Sequence, residues 1–191
     1  MRLTGGYRLI LRKNYHKKEV NGLEKVFGKE LAKARQRQGM TQEELSSRGY
    51  VARSTLAGYE LNRRNIPDET VRDLTKELDD VDLYFSAWHH ATGDVSIPLM
   101  NGINIDAYSS SMVFLVKHET KEALESVENM HWHLPSEMRK TESVEQIISE
   151  LLDAAASMLN LVACLCKEHK MPMARIFRKW QISMKNRGYQ Q

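Results

Sequence analysis

The chain has 191 residues, which is enough for one domain of ordinary size or for two small domains with separate cores. Its hydrophobic fraction of 41% and its charged fraction of 28% are typical of a globular protein, and the pattern predicts neither a transmembrane helix nor a secretory signal. The two cysteines, Cys164 and Cys166, are two residues apart and would point to different sides of a helix, which strains a disulfide between them. We therefore expect a cytoplasmic protein.

Charge is segregated along the chain. The overall net charge of +3 divides into +9 for residues 1–64, −12 for residues 65–166 and +6 for residues 167–191. A basic module beside an acidic one is typical of a nucleic-acid-binding protein whose partner-binding half lies away from phosphate. Ordinary solvation of exposed faces explains the same pattern, so charge alone leaves both interpretations open.

Residues 1–22 are predicted to be a basic N-terminal arm, because glycine, aromatic and basic residues are mixed there without a helical period. The arm has two open interpretations, which are entry into a minor groove beside a DNA site and a disordered tail. The basic side chains concerned are Arg8, Arg12, Lys13, Lys17 and Lys18.

Four short helices are predicted within residues 23–88, which we interpret as the first domain. The first helix has apolar residues at three- and four-residue steps and ends at Gly39, where a left-handed cap residue is expected. The second helix opens at Thr41, which forms a capping-box pattern with Glu44.

The third and fourth helices of this domain follow a turn. Apolar spacing places the third over residues 54–61, and Asn62 after it can adopt the left-handed conformation. Pro67 and Asp68 open the fourth helix, whose apolar residues again recur every three or four positions.

The second half of the chain is predicted to be helical as well. Residues 89–106 contain several glycine, proline and asparagine residues with little periodicity, so they are interpreted as a linker before a C-terminal domain of residues 107–191. Within that domain, apolar spacing predicts a helix that is broken before Pro135. The predicted fold class of the whole chain is all-α, with two helical domains.

A long apolar helix and a basic helix end the chain. Ser143 and Gln146 form a second capping-box pattern, which opens a helix with a wide apolar face that runs to about His169. This face is either intradomain core or the seam of a homodimer. Beyond Met171 and Pro172 the last helix is basic and amphipathic, and we interpret it as a docking helix or as a contact to the DNA backbone.

Histidine and cysteine occur in three short groups that invite a metal-site interpretation. The groups are His131 with His133, His89 with His90, and Cys164 with Cys166 and His169. No group has the four-ligand spacing of a closed zinc site, and residues two apart in a helix diverge. We therefore predict no metal and no cofactor, and no pairing of a nucleophile with a base indicates an enzyme.

The run from Thr41 to Pro67 reads T-Q-E-E-L-S-S-R-G-Y-V-A-R-S-T-L-A-G-Y-E-L-N-R-R-N-I-P. It combines a T-Q-E-E-L helix entry, the sequence V-A-R-S-T-L, a Tyr-Glu pair, the triplet Asn-Arg-Arg and a proline. This combination resembles the Cro/C1 (XRE, lambda-repressor-like) helix-turn-helix family of transcriptional regulators. The resemblance covers about a quarter to a third of the chain and implies a domain that binds duplex DNA.

A helix that lies in the major groove needs polar or small residues on its outer stripe and apolar residues on its inner stripe. The predicted inner stripe contains Val51, Leu56 and Tyr59. The resemblance implies that the outer stripe faces base edges. Arg53 is the strongest candidate for a base contact, because its guanidinium can bond to guanine O6 and N7 together.

The resemblance also implies supporting contacts around the reading helix. Gln42 either contacts phosphate or braces the reading helix, and Gly58 permits a close approach to DNA. The basic cluster after the helix is expected to follow the phosphate backbone. The residues expected at the DNA are Thr41, Gln42, Arg53, Ser54, Thr55, Gly58, Asn62, Arg63 and Arg64.

Two positions depart from the family pattern. Gly49 stands one place before the usual turn glycine, and Tyr50 occupies that place, either as a plug in the turn or as a sugar contact. Ala52 stands where a serine or threonine usually caps the recognition helix, and the missing hydroxyl is expected to cost about 1 kcal/mol of local stability. Together the two departures predict an unusual DNA specificity.

The resulting hypothesis is a sequence-specific transcriptional regulator, most simply a repressor, whose C-terminal helices form a homodimer over a palindromic operator. The alternative is an antitoxin or adaptor whose C-terminal half binds a protein partner, with DNA binding serving autoregulation. Self-cleavage is not expected, because the C-terminal half has a helical pattern rather than that of a β-rich peptidase.

Overall fold

The computed structural model describes residues 26–49, 51–103, 105–106, 108–138 and 140–191, and the predicted N-terminal arm lies outside them. The regular structure of these residues is entirely helical, so the predicted all-α fold class is confirmed. In chain order the α-helices are α1 (Val26–Arg37), α2 (Gln42–Arg48), α3 (Arg53–Glu60), α4 (Asp68–Leu78), α5 (Val81–Thr92), α6 (Ser109–Glu128), α7 (Thr141–Glu168) and α8 (Met173–Asn186), with a short 3-10 helix at Ser136–Met138.

Helices α1 to α5 pack around one apolar core, the first core. Its buried residues are Phe27, Leu31, Ala34, Leu45, Leu56, Tyr59, Val71, Leu74, Leu78 and Leu83. Five of its leucines are completely buried, and each contributes roughly 1.5–3 kcal/mol relative to an exposed side chain. The predicted inner stripe is confirmed at Leu56 and Tyr59, and Val51 packs against the same core while partly buried.

The cap signals in this region are confirmed. At the start of α2, the Thr41 hydroxyl accepts a hydrogen bond from the Glu44 N–H at 3.1 Å, and the Glu44 carboxylate accepts one from the Thr41 N–H at 2.7 Å. Gly39 and Asn62 have φ angles of 68° and 52°. Both residues therefore have the left-handed conformation that turns the chain after a helix.

Helix α5 is an addition to the four helices that the apolar pattern predicts in this region. Only Asp79 and Asp80 separate it from α4. Asp79 has a left-handed φ of 42°, and the Asp80 carboxylate caps α5 by accepting from the Leu83 N–H at 3.0 Å. Because neither glycine nor proline marks this corner, the pattern lacked a break signal there. Helix α5 continues to Thr92, into the segment predicted to be a linker.

A second apolar core joins α5 to the C-terminal helices. Its buried residues are Val81, Phe85, Ala163, Cys166 and Met173. Ile97 and Leu99, from the segment predicted to be a linker, pack against this core. Both cysteines are buried thiols, and burial raises the pKa of each. The division of the chain into two domains stays a prediction.

Asn160 on α7 holds the segment that connects α5 to α6. Its side chain is buried, its Oδ1 accepts from the Met100 N–H at 2.8 Å, and its Nδ2 donates to the Pro98 carbonyl at 3.0 Å. Because a buried amide is costly unless it is hydrogen-bonded, these bonds fix the path of the connecting segment.

Helix α7 begins at Thr141, two residues before the predicted second capping box. Its N-cap is Lys140, whose side chain makes no cap hydrogen bond and whose carbonyl accepts from the Ser143 N–H at 3.1 Å. The capping-box prediction at Ser143 and Gln146 is therefore wrong. Ser143 already lies in the first turn of the helix, so its spacing to Gln146 is an ordinary helical spacing.

Among the described residues, α7 is the one helix that is long and apolar enough to cross a membrane, judged by length and composition. The sequence pattern predicts no membrane-spanning helix. Core helices of soluble proteins pass the same test, and 44% of the most apolar window of α7 is buried. The helix is therefore weak support for a membrane span.

Candidate nucleic-acid interface

Helix α3 presents the edge that the sequence predicts as the reading surface. Arg53 and Ser54 at its N-terminal end are exposed, and Thr55 and Gly58 beside them are partly buried. The opposite stripe of α3 is buried in the first core. An exposed polar edge on a helix that is anchored by its apolar side is what a major-groove reader requires.

The turn before α3 needs a glycine for space. Gly49 has an ordinary φ of −86°, and a Cβ at this position would lie 2.7 Å from Leu74 Cδ2 in the first core. Ala52 is the N-cap of α3 and makes no side-chain cap hydrogen bond, as predicted. Tyr50, predicted either to plug this turn or to contact a sugar, lies outside the described residues.

A buried ion pair ties α3 to the two helices before it. The Arg35 guanidinium on α1 donates to both carboxylate oxygens of Glu60 at the end of α3, from Nε at 2.6 Å and from Nη2 at 3.0 Å. Gln42 at the start of α2 donates from Nε2 to the same carboxylate at 2.8 Å. Arg35 Nη1 also donates to the Met40 carbonyl at 2.7 Å. Of the two roles predicted for Gln42, this geometry matches the bracing role.

The network ties α1, α2 and α3 together through largely buried side chains. The side chains of Arg35 and Glu60 are only 11% and 5% exposed. The hydrogen bond to Glu60 raises the pKa of Arg35 above its ordinary value, although burial acts in the opposite direction. Removing one partner of such a buried pair costs roughly 3–5 kcal/mol, because the other charge stays buried without compensation.

The family comparison agrees with this geometry. One family model, described as Helix-turn-helix, matches residues 31–85, a segment that runs from α1 to α5. This segment is a helix-turn-helix domain of the Cro/C1 (XRE) family. A domain of this kind supports DNA binding by a transcription regulator. No curated protein and no solved structure matches the chain.

Within the helix-turn-helix domain, Arg64 folds back over the outer face of α3. Its Nη1 donates to Thr55 Oγ1 at 3.2 Å. A Cβ at Gly58 would lie 3.0 Å from Arg64 Cδ and 3.1 Å from Arg64 Cγ. The space that Gly58 leaves on α3 is therefore filled by the Arg64 side chain, which holds its guanidinium against the reading edge.

A close approach between α1 and the C-terminal end of α3 completes the helix-turn-helix domain, and the sequence pattern does not predict it. A Cβ at Gly28 would lie 2.1 Å from the Tyr59 carbonyl oxygen and 2.6 Å from Asn62 Oδ1. The Asn62 side chain, predicted to follow phosphate, is thus packed against α1. A glycine inside an otherwise helical pattern is the sequence signal that marks such a contact.

The exposed edge of the helix-turn-helix domain is basic. Arg53, Arg63 and Arg64 are all exposed. Thr41 is engaged as the cap of α2. The five cations of the predicted arm lie outside the described residues, so their position relative to this edge stays a prediction.

Three groups of side chains in the described ranges bring possible metal ligands within 4.8 Å of one another. They are His118 with Glu119 and Glu122, Glu30 with Asp80 and Asp82, and Glu119 with Glu150 and Asp153. The second group surrounds the Arg37 guanidinium, which donates to Glu30 at 2.7 Å and to Asp80 at 2.6 Å, so it is an ion-pair cluster. Acidic clusters of this kind are common without an ion.

Proposed function

We propose that this protein is a dimeric, sequence-specific transcriptional repressor that reads DNA with α3 in the major groove. The observation that carries the proposal is the exposed edge of α3, led by Arg53 and fixed from behind by the buried Arg35–Glu60 pair. A rigid reading helix supports sequence recognition, because base contacts need their positions held to within about 0.5 Å.

Arg53 is assigned the main base contact. Its exposed side chain at the start of α3 can donate to guanine O6 and N7 together, which discriminates against other bases by roughly 1–3 kcal/mol. Ser54 beside it is the second base-facing group. Arg63 and Arg64 are assigned to phosphates, which position the domain without reading sequence.

The homodimer is assigned to the outward face of α7. Ile148, Leu151, Leu152 and Met158 lie on this face and are 43–55% exposed. Ile148, Leu151, Ala155 and Met158 follow the alternating three- and four-residue spacing of a seam between two helices, and Leu152 lies beside them. Pairing of two α7 helices would bury this stripe, which is otherwise an apolar patch in water.

Dimerisation supports the function because a single small domain binds DNA weakly. A two-fold symmetric pair presents two α3 helices to half-sites about one helical turn, roughly 34 Å, apart. Once one half-site is bound, the second binds at high effective concentration. The same proposal includes a palindromic operator, a cytoplasmic location and the absence of catalysis.

Selection of bound sites from a random duplex pool with the full chain tests the proposal. We expect a palindromic pair of half-sites separated by about one helical turn. Arg53→Ala should lower the ratio of specific to random affinity by roughly 5- to 150-fold, whereas Arg63→Ala should weaken both affinities about equally. Recovery of no preferred sequence, or an unchanged ratio for Arg53→Ala, would contradict sequence reading by α3.

The same experiment separates the second hypothesis. If the chain is monomeric in solution and selects a single half-site, the α7 stripe is available to a different protein. That result would favour the antitoxin or adaptor, with DNA binding retained for autoregulation.

A further inference from the structure

Helix α8 carries charge that the proposed reading helix does not use. Between His169 and Gln191 the chain has six lysine or arginine residues and no aspartate or glutamate. Within the part of the chain that the structure describes, no carboxylate pairs with the cations of α8. A group of cations without nearby counter-charge attracts anionic partners.

The cations of α8 lie on one face. At about 100° per residue, Arg175, Arg178, Lys179 and Lys185 fall within one stripe roughly 120° wide. All four side chains are exposed. The stripe is about 15 Å long, because ten residues of helix rise about 1.5 Å each.

The opposite face of α8 is anchored in the second core. Met173 is buried there, and Ile176 and Phe177 pack with it against Val81 and Phe85 of α5. Helix α5 begins within the helix-turn-helix domain. Apolar packing, rather than a flexible tether, therefore fixes the position of α8 relative to that domain.

Polar contacts fix the same junction. The Asp79 carboxylate at the corner between α4 and α5 accepts from the Tyr84 hydroxyl at 2.9 Å and from the Ala174 N–H of α8 at 3.4 Å. Lys167 at the end of α7 forms an ion pair with Asp82 of α5. These contacts hold the N-terminal end of α8 at the α4–α5 corner.

The α4–α5 corner also contacts the end of α1. Arg37 donates from Nε to Asp80 at 2.7 Å, and Gln38 donates from Nε2 to the Leu78 carbonyl at 3.2 Å. Only residues 38–41 separate α1 from α2, whose first residue, Gln42, braces α3 through Glu60. One set of contacts joins α8 to the α4–α5 corner, and a second joins that corner to the end of α1. Together they link α8 to the N-terminal end of α2.

We propose that the basic stripe of α8, consisting of Arg175, Arg178, Lys179 and Lys185, binds the phosphate backbone of the duplex outside the bases that α3 reads. The inference rests on the proposed function, since α3 brings the duplex to α8. The length of the stripe matches roughly four base pairs at 3.4 Å per pair. Phosphate contacts of this kind add affinity without sequence information.

DNA is a better partner for this stripe than a lipid surface. An interfacial membrane helix inserts its apolar face among the lipids. Most of the apolar face of α8 is instead occupied by the second core through Met173, Ile176 and Phe177, which leaves only its far end, at Trp180, half exposed. The stripe therefore offers charge in a fixed array, which suits the regular phosphates of a duplex.

The test compares the full wild-type chain with the variant Arg175→Gln, Arg178→Gln, Lys179→Gln, Lys185→Gln. Affinity for a random-sequence duplex and for the best selected duplex is measured over a series of salt concentrations. Each lost phosphate contact makes the slope of log affinity against log salt concentration shallower by about 0.9. We therefore expect the slope of the variant to be shallower by about 2–4. Binding to both duplexes should be at least about tenfold weaker. The ratio of the two affinities should change by less than about twofold.

The matched control is Lys76→Gln, Lys117→Gln, Lys121→Gln, Lys140→Gln, which removes the same charge from exposed positions of the acidic block. Thermal melting by circular dichroism checks that all chains are folded. An unchanged slope in the α8 variant, or an equal change in the control, overturns this inference and leaves the proposed function standing. Wild type that binds neither duplex overturns both. Weaker binding to phosphatidylserine vesicles with unchanged DNA slopes would assign the stripe to a membrane and overturn the inference as well.

Discussion

Gly58 is the residue of α3 at which a substitution is expected to weaken DNA binding without lowering stability. Glycine inside a helix costs roughly 0.5–1 kcal/mol relative to alanine. In Gly58→Ala this gain is reduced by the displacement of Arg64, whose Cδ lies 3.0 Å from the new Cβ. The displaced guanidinium loses its bond to Thr55 and its place at the reading edge. We expect equal or higher stability in urea unfolding and several-fold weaker binding to the selected duplex.

A double-mutant cycle separates the two possible roles of Gly58. In an Arg64→Ala background, Gly58→Ala meets no guanidinium stem and should no longer lower the DNA affinity. Additive losses in the cycle would mean that Gly58 acts by letting DNA approach directly, which is the role implied by the family resemblance.

Asp80 is expected to make the stability of the fold depend on pH. Burial acts to raise the pKa of Asp80, but the hydrogen bonds from Arg37 and from the Leu83 N–H outweigh it and hold the pKa below its ordinary value of 3.8. Because the folded-state pKa is lowered, the carboxylate stabilises the fold fully above about pH 4. This contribution is lost as the pH falls through the folded-state value.

Asp80→Asn isolates the charge, because asparagine is also a good helix cap. At about pH 7 the variant should be less stable by about 1–2 kcal/mol, and the difference from wild type should shrink as the pH falls below the ordinary aspartate value. Urea unfolding of both chains over this pH range measures the difference. A constant difference at every pH would mean that Asp80 contributes through something other than its charge.

Individual residues could be predicted from the sequence where their role is local. Gly39, Thr41 and Asn62 each act on backbone groups within a few residues, and their predicted conformations or bonds are confirmed. Gly28 and Gly49 could not be predicted in the same way. A glycine inside a helical pattern marks Gly28 as a contact position, but no local pattern identifies the distant element that approaches either glycine.

At the scale of elements, the Arg35–Glu60 pair should determine how firmly α3 is held. Glu60→Gln leaves the Arg35 guanidinium buried without a counter-charge, and the free energy of unfolding should fall by roughly 3 kcal/mol. Arg35→Met combined with Glu60→Leu removes both charges and should recover much of the stability. Urea unfolding of the three chains measures both effects.

The double variant provides a second readout of the same network. It removes the acceptor of the Gln42 amide, so α2 no longer braces α3. We expect a folded chain with a weaker preference for the selected duplex over random DNA. If Glu60→Gln is as stable as wild type, the pair does not organise these helices.

The elements were predictable to the extent that one face of each helix is buried. Helices α1 to α4 follow the predicted apolar spacing closely, because each packs one stripe into the first core. Helix α5 was missed because an aspartate pair, rather than glycine or proline, forms the corner before it. For α3, the helical period predicts which residues face outward, whereas the partners that hold Gln42 and Arg64 depend on tertiary packing.

At the scale of the whole molecule, the basic ends of the chain belong to one connected structure. The edge of α3 and the stripe of α8 are more than a hundred residues apart in sequence, yet α5 contributes to both the first and the second core. Composition predicts that both ends are basic. It does not predict that Met173 and Phe177 attach the second basic segment to the end of the helix-turn-helix domain.

The proposed dimer through α7 is testable by placing charge in its seam. In the double variant Leu151→Glu, Met158→Glu, pairing of two α7 helices would bury two carboxylates of each chain without partners, which costs several kcal/mol. We therefore expect this variant to be monomeric in sedimentation equilibrium. Its fold should persist, since both side chains are about half exposed in the single chain. Ile103→Glu changes a fully exposed residue outside the seam and should remain dimeric. The monomeric variant should still bind one half-site but lose cooperative binding to the palindrome. If the seam variant stays dimeric, the dimer interface lies elsewhere.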